Sequence, residues 1–255
     1  MKIVLFFIIF CFSNCASAVN LKVFLGQSGH IEQCSFAPYS IITVDPEHAN
    51  QFQVSGVVHD FLAEIIKITG DSVEYVWLPN VRALPSVSDG KIDLELFANP
   101  TWRTKHSEGS IYTIAYLKSY DYYVFPKDKV FRVMAFSDLV GKQVDLIRGY
   151  GYDTALINQI GMKRSESVNE IMLLKKLTQG MVDVGIINGD VFAYQTKQLG
   201  INNLVLGDMY SPPADVSMRF NAKHQEVVDR FNVAIARLIK DGTLSRIGKK
   251  YGLNL

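Results

Sequence analysis

"GDMYSPPADVSMRF", residues 207–220, decides how the chain is organised. Its paired prolines, Pro212 and Pro213, cannot continue a helix or an inner strand, and they follow the β-type run "LVLG" (204–207). The stretch therefore reads as a crossing between two units. An earlier segment, the tyrosine-dense and β-rich "KSYDYYVFPK" (118–127), reads as the other crossing. Two crossings imply a discontinuous first lobe, with residues 19–118 and 215–255 on one side and 119–214 on the other.

Within each unit short β-type runs alternate with helical ones. "KVFLG" (22–26), "VEYVWL" (73–78), "KIDLELF" (91–97), "QVDLIRG" (143–149), "VDVGII" (182–187) and "LVLG" are rich in β-branched and aromatic residues and bounded by turn formers. Between them, "DFLAEIIKITG" (60–70) sets Leu62, Ile65, Ile66 and Thr69 on one helical face and stops at Gly70. "NEIMLLKKLTQG" (169–180) offers Asn169 as a cap and Gly180 as a stop. Near the C-terminus Val227, Val228, Phe231, Ala234, Ile235, Leu238 and Ile239 keep helical spacing up to Gly242. This order predicts a two-lobed α/β protein with mainly parallel sheets. Ligands are expected at the carboxyl ends of the strands, in the cleft between lobes.

The ends of the chain narrow the function. Lys2, the apolar run Ile3 to Phe12 and the small-residue "ASA" at 16–18 form the three-part pattern of a secretory signal. Cleavage after Ala18 is expected, leaving a periplasmic protein that starts at Val19. Cys15 invites a lipoprotein reading, but "FSN" before it lacks the leucine and small residues of such a cleavage site. A run of ten apolar residues is also too short to span a bilayer, which takes about 20. Without residues 1–18 the 26 basic residues become 25, against 25 acidic ones, so no charge excess is available to neutralise nucleic-acid phosphates. Only Cys34 of the three cysteines remains, so no internal disulfide is expected. The fold must rest on its core, which a chain that is 48% apolar can supply.

Six blocks then carry a resemblance. "GVVHDFLAEIIKITG", "PNVRALPSVSDGKIDL", "PTWRTKHSEGSIY", "DLVGKQVDLIRGYGYDTAL", "LTQGMVDVGIINGDVFAY" and "LIKDGTLSRIGKKYG" resemble, in this order, the blocks of the family 3 extracellular solute-binding proteins. These are type II periplasmic receptors best known for serving polar amino-acid ABC transporters. "PNVRAL" further resembles a branch of stand-alone periplasmic members. The resemblance implies the type II periplasmic-binding-protein fold, a small amino-acid-like ligand, a possible ABC transporter permease as partner, no cofactor and a monomer.

It also implies site residues. In the family, the arginine after the turn that closes the third strand clamps the ligand's α-carboxylate, and Arg103 in "NPTWR" falls on that position. A planar fork of donors suits a carboxylate where lysine offers a point charge; the alternative is a surface arginine paired with Glu108 or another acid. Asn99 and Trp102 flank it, the tryptophan as either cleft wall or packing. In "FAPYSI" (36–41) Tyr39 is the candidate aromatic to stack on the ligand, with Phe36 its neighbour, unless it is ordinary packing. Arg82 in "PNVRAL" either adds positive charge at the cleft rim or is solvated surface.

Two departures stand out. Where many members have glycine-serine-threonine at a helix start, this chain has Gly149-Tyr150-Gly151-Tyr152; the amides can form an anion site, but the hydroxyl donor is gone and Tyr150 brings a ring. The aspartate that usually holds the ligand's ammonium is here Asn188. Asp190 either substitutes for it or caps the following helix. Some members of this fold are dehydratases, which need a positioned acid or base, and Asp190 is the one acid the sequence places in the cleft. The five histidines, at 30, 48, 59, 106 and 224, have no metal-ligand spacing, and His59 and His106 read as polar surface or strand ends. No phosphate loop or nucleophile elbow is present, and Cys34 reads as a small buried residue. The expectation is a binding protein, with a sensor or auxiliary receptor next and a dehydratase-like enzyme after that.

Overall fold

The computed structural model describes residues 17–25, 36–44 and 52–255. The apolar run and Cys15, with Cys34, His30 and His48, lie outside the described residues.

Strand β1 (Asn20–Leu25) alternates Leu21, Val23 and Leu25 inward with Asn20 and Lys22 outward, the two-residue period of a half-buried strand. β2 (Ile41–Val44) and β3 (Phe52–Ser55) pair antiparallel as a separate ribbon. Helix α1 (Val57–Thr69) ends where Gly70 adopts the left-handed conformation at φ 79, which costs glycine nothing. It begins three residues earlier than "DFLAEIIKITG", and its inner face carries Val58, Phe61, Leu62 and Ile65, while Ile66 and Thr69 sit at the margin. The chain continues through β4 (Ser72–Trp77), α2 (Asn80–Ser88), β5 (Leu94–Ala98), the 3-10 turn Pro100–His106, β6 (Ser110–Tyr112) and β7 (Leu117–Ser119). Strands β8 (Asp121–Pro126), β9 (Gln143–Ile147), β10 (Lys163–Ser167), β11 (Val184–Asn188) and β12 (Leu204–Met209) follow. They are interleaved with helices α3 (Thr154–Ile157), α4 (Glu170–Thr178) and α5 (Gly189–Leu199). The chain closes with β13 (Ala214–Asn221), α6 (Gln225–Lys240) and α7 (Thr243–Lys250).

The strands make two sheets besides the ribbon. One runs β4-β1-β5-β13-β6 with β7 also on β13, and the other runs β10-β9-β11-β8-β12. Each has a parallel part, β4-β1-β5 in the first and β10-β9-β11 in the second. The sheets are nevertheless mixed, where the sequence predicted mainly parallel ones. Both segments read as crossings are themselves inner strands: β8 runs antiparallel to β11 and β12, and β13 antiparallel to β5, β6 and β7. A strand that arrives directly from the neighbouring sheet has no crossover helix to turn it round, so it enters against the grain.

Helix α6 lays Val227, Val228, Phe231, Ala234, Ile235 and Leu238 into the core of the first sheet, and Phe231 meets Phe220 edge-on at 5.2 Å between ring centres. Burying such a ring contributes roughly 2–3 kcal/mol. Ile239 falls off the stripe and is exposed. In the second sheet every residue of β11 is buried: Ile187 clusters with Leu173, Leu174 and Val191 of α4 and α5, and Val184 and Ile186 with Val133, Leu139 and Leu156.

Candidate functional site

A cavity of about 150 Å³ lies between the two sheets, lined from the first by Phe36, His59, Asn80, Glu95, Trp102 and Arg103, among others, and from the second by residues including Asp121, Tyr150, Glu170 and Asn188. An apolar cavity of about that size admits a molecule as large as benzene, so the space suits a small solute. The two sides touch around it. Tyr39 Oη donates to Asp190 Oδ2 at 2.5 Å, and the rings of Phe36 and Tyr150 meet edge-on at 6.3 Å. Gly151 backs directly onto Trp102: a Cβ there would sit 2.7 Å from the tryptophan Cα.

Arg103 is one of the lining residues, held by the 3-10 turn after β5. Asn99 caps that turn, its Oδ1 accepting from Thr101 N at 2.8 Å, and its Nδ2 donates to the carbonyl of Asp215 at 2.7 Å. Asn99 thus ties the turn to the returning chain and does not line the cavity. Arg103 itself is buried and already paired, though with neither Glu108 nor a surface acid. Its Nη2 donates to Glu95 Oε1 at 2.6 Å and its Nε to the same carboxylate at 3.1 and 3.3 Å, while Nη1 reaches the carbonyl of Trp102 at 3.3 Å. A guanidinium has five N–H groups, so among the described residues one is left over on each terminal nitrogen. On its other side Glu95 accepts from Arg219 Nη1 at 3.1 Å. Arg219 is wholly buried, and its other donors go to Leu84, His106 and Ser110. Burial would raise the Glu95 carboxyl, but the two guanidiniums outweigh it and hold it below the usual range. Two cations on one anion leave this wall with a net positive charge.

The other predicted positions divide. Trp102 lines the cavity and stacks on Phe97, with ring centres 6.1 Å apart. Tyr39 is fully buried beneath it, and the ring that reaches the cavity is Phe36, stacked on Tyr39 at 5.3 Å. Arg82 is exposed on α2; the residue of "PNVRAL" that lines the cavity is Asn80, two positions earlier on the helix. His59 is no surface residue: it is buried in α1, bonded to Ser40 Oγ at 2.8 Å and Tyr75 Oη at 3.1 Å, and burial lowers its pKa to about 3.

Around Gly149 to Tyr152 the helix start gives no anion site. α3 is one turn long and opens with Asp153, whose Oδ1 accepts from Ala155 N at 2.7 Å, so an acid stands where an anion would bind. Tyr150 does line the cavity, and its hydroxyl donates to Glu170 Oε1. Asn188, not Asp190, caps α5, its Oδ1 accepting from the amides of Asp190 and Val191 at 3.0 and 3.2 Å. Asp190 is turned to Tyr39 and does not line the cavity.

Three acids that sequence reasoning missed do line it. Glu95 was visible only as a charged residue inside the apolar "KIDLELF". Glu170, just after the cap Asn169, looked like an ordinary acid complementing a helix N-terminus. Asp121 lay inside the segment read as a crossing. Burial raises Asp121 above its usual range, and burial raises Glu170 to about 7, with Asp121 adding to the rise and the Tyr150 hydroxyl opposing it.

The sequence profile of the bacterial extracellular solute-binding proteins, family 3, matches residues 33–254. The chain belongs to this family. Its fold is the two-lobed type II periplasmic-binding-protein fold, as solved structures agree. One is an ancestral arginine-binding protein bound to arginine, with a TM-score of 0.74 at 20% identity over 91% of this chain and 98% of that one. A histidine kinase sensor domain with similarity to periplasmic binding proteins has a TM-score of 0.73 at 17% identity, over 92% and 98%. An ancestral amino acid-binding protein, described as a precursor of cyclohexadienyl dehydratase, has a TM-score of 0.71 at 18% identity, over 91% and 94%. At such identities the likeness concerns the fold. No curated protein sequence matches the chain significantly. Among the described residues no helix is long and apolar enough to cross a membrane.

Proposed function

We propose that this chain is a periplasmic receptor that closes around a small carboxylate-bearing solute, an amino acid or close relative, and presents it to an ABC transporter. The observation that carries the reading is Arg103: a buried guanidinium with one N–H left on each terminal nitrogen, in the wall of a solute-sized cavity, next to a second buried arginine that keeps the wall positive. A carboxylate accepting from both terminal nitrogens would complete that fork. Residues 1–18 serve as the export signal and are removed after Ala18. Residues 19–118 and 215–255 form one lobe and 119–214 the other, and hinge motion at the two crossings admits the solute. The receptor acts as a monomer and needs no cofactor.

Thermal-shift measurements on the purified protein with the common amino acids test this, since a ligand that binds only the folded state stabilises it as RT ln(1 + [L]/Kd). One or a few should raise the melting temperature in a concentration-dependent way. Their C-terminal amides should fail to do so, and Arg103→Lys should weaken binding tenfold or more because the fork is lost. Equal binding of acid and amide would move the carboxylate site away from Arg103. A sensor reading is supported by the likeness to a histidine kinase sensor domain; it requires the same ligand-induced shift and differs in the partner engaged. A dehydratase-like activity would show as a changed product after incubation with a binding compound, and none is expected.

A further inference from the structure

Asp121 and Glu170 both line the cavity, near enough for Asp121 to act electrostatically on Glu170, with no cation beside either among the described residues. Glu170 is 1% exposed; Oε1 accepts from Tyr150 Oη, and Oε2 has no hydrogen-bond partner among the described residues. Lying at the first position of α4, its carboxyl gains something from the helix amides, but that does not supply the missing partner. A buried carboxylate oxygen left unpaired is costly, and here it belongs to a residue lining the place where a solute would sit.

Asp121 stands next to the position that lost its charge. In the antiparallel pairing of β8 with β11, Asp121 is the register partner of Asn188, and residues directly opposite in such a pair share a face. The acid absent at 188 is thus present one strand over. Asp121 Oδ1 accepts from Ser119 Oγ at 3.2 Å, and Ser119 Oγ in turn accepts from Asn188 Nδ2 at 3.1 Å, so serine and asparagine hold that face in place. Asp190 is taken up by Tyr39. The cavity lining therefore offers a cation at Arg103 and acids at Asp121 and Glu170, a set that suits a zwitterion.

We propose that Asp121 and Glu170 together bind the α-ammonium of the ligand, in the place the sequence reading gave to Asn188 or Asp190. The inference rests on the receptor reading above and specifies its substrate as an α-amino acid and not merely a carboxylate. The test uses each L-amino acid that stabilises the wild type, its 2-hydroxy acid analogue, which keeps the carboxylate and lacks the amine, and its amide. Affinities are measured for wild type, Glu170→Gln and Asp121→Asn, both near-isosteric changes. Wild type should prefer the amino acid over the hydroxy acid by tenfold or more. In each variant the amino acid should fall toward the level of the hydroxy acid, while the amide is still rejected, showing that the Arg103 end is intact. Either variant suffices should the other fail to fold. Affinities within threefold of wild type in the variants, or a wild type indifferent to the amine, would overturn the ammonium site; rejection of the amide in that case leaves the receptor reading standing. If no amino acid or hydroxy acid binds, both fall together.

Discussion

Truncating Arg103 should weaken the empty protein as well as its binding. Had this arginine stood unpaired in an open cleft, Arg103→Ala would abolish binding and leave the fold alone. Instead it makes three contacts of 2.6 to 3.3 Å to Glu95, whose side chain is 5% exposed. Removing one partner of a buried ion pair costs about 3–5 kcal/mol when the other charge is left alone. Glu95 is not left alone, because Arg219 still faces it at 3.1 Å, so the cost should fall to the bottom of that range or below it, about 2–3 kcal/mol. For a chain of this size about 1 kcal/mol corresponds to some 2–4 °C in melting temperature, so Arg103→Ala should melt roughly 4–12 °C below wild type without ligand. Circular-dichroism melts of wild type, Arg103→Ala, Glu95→Gln and the double variant supply the cycle that separates the pair from its surroundings. The expected coupling is 1 kcal/mol or more, weakly dependent on salt because the pair is buried. If empty Arg103→Ala melted within about 1 °C of wild type, the pairing with Glu95 would not exist in solution and Arg103 would be free for the ligand alone.

Protonation of Glu170 should leave a mark on stability. Its folded pKa of about 7 lies above the usual 4.5, so the folded state holds the extra proton between those values and stability falls as pH rises through that window, by up to about 3 kcal/mol. His59, buried and neutral down to about 3, acts in the opposite direction below the ordinary histidine range; the measurement is therefore the difference between wild type and Glu170→Gln, which should grow in the variant's favour from pH 4.5 to 7.5, and a flat difference would refute it. Gly151→Ala would place a methyl 2.7 Å from Trp102 Cα and 2.8 Å from its carbonyl oxygen, so the two sides should be held apart; a larger radius of gyration by small-angle X-ray scattering with liganded protein, and at least tenfold weaker binding, are expected. Tyr39→Phe removes the 2.5 Å bond to Asp190 across the cleft and should destabilise the closed, liganded form more than the empty one, by about 1 kcal/mol, read from melts with and without ligand; equal losses would mean that the bond does not report closure.

Much of the frame was legible because it depends on neighbours a few residues apart. The stop at Gly70, the cap at Asn169 and the apolar stripe of α6 follow from helical spacing and capping chemistry within one or two turns. Six blocks in order named the family. The direction of the crossing strands was not legible, since strand sense depends on which sheet the chain has just left. The site was less legible still. Arg103 could be picked out by its residue type and position, but its partner Glu95 emerges only when the turn folds back over β5, and Arg219 joins them from 124 positions beyond Glu95. Tyr39 and Phe36 are equivalent aromatics in the sequence; a hydrogen bond to Asp190, 151 positions away, turns the first inward and leaves the second at the cavity. Glu170 looks like any acid at a helix start, and only the packing of α4 against the cavity leaves its second oxygen without a partner among the described residues. Local chemistry dictates which elements form; burial and charge compensation between distant elements decide which side chains are left free to meet a ligand.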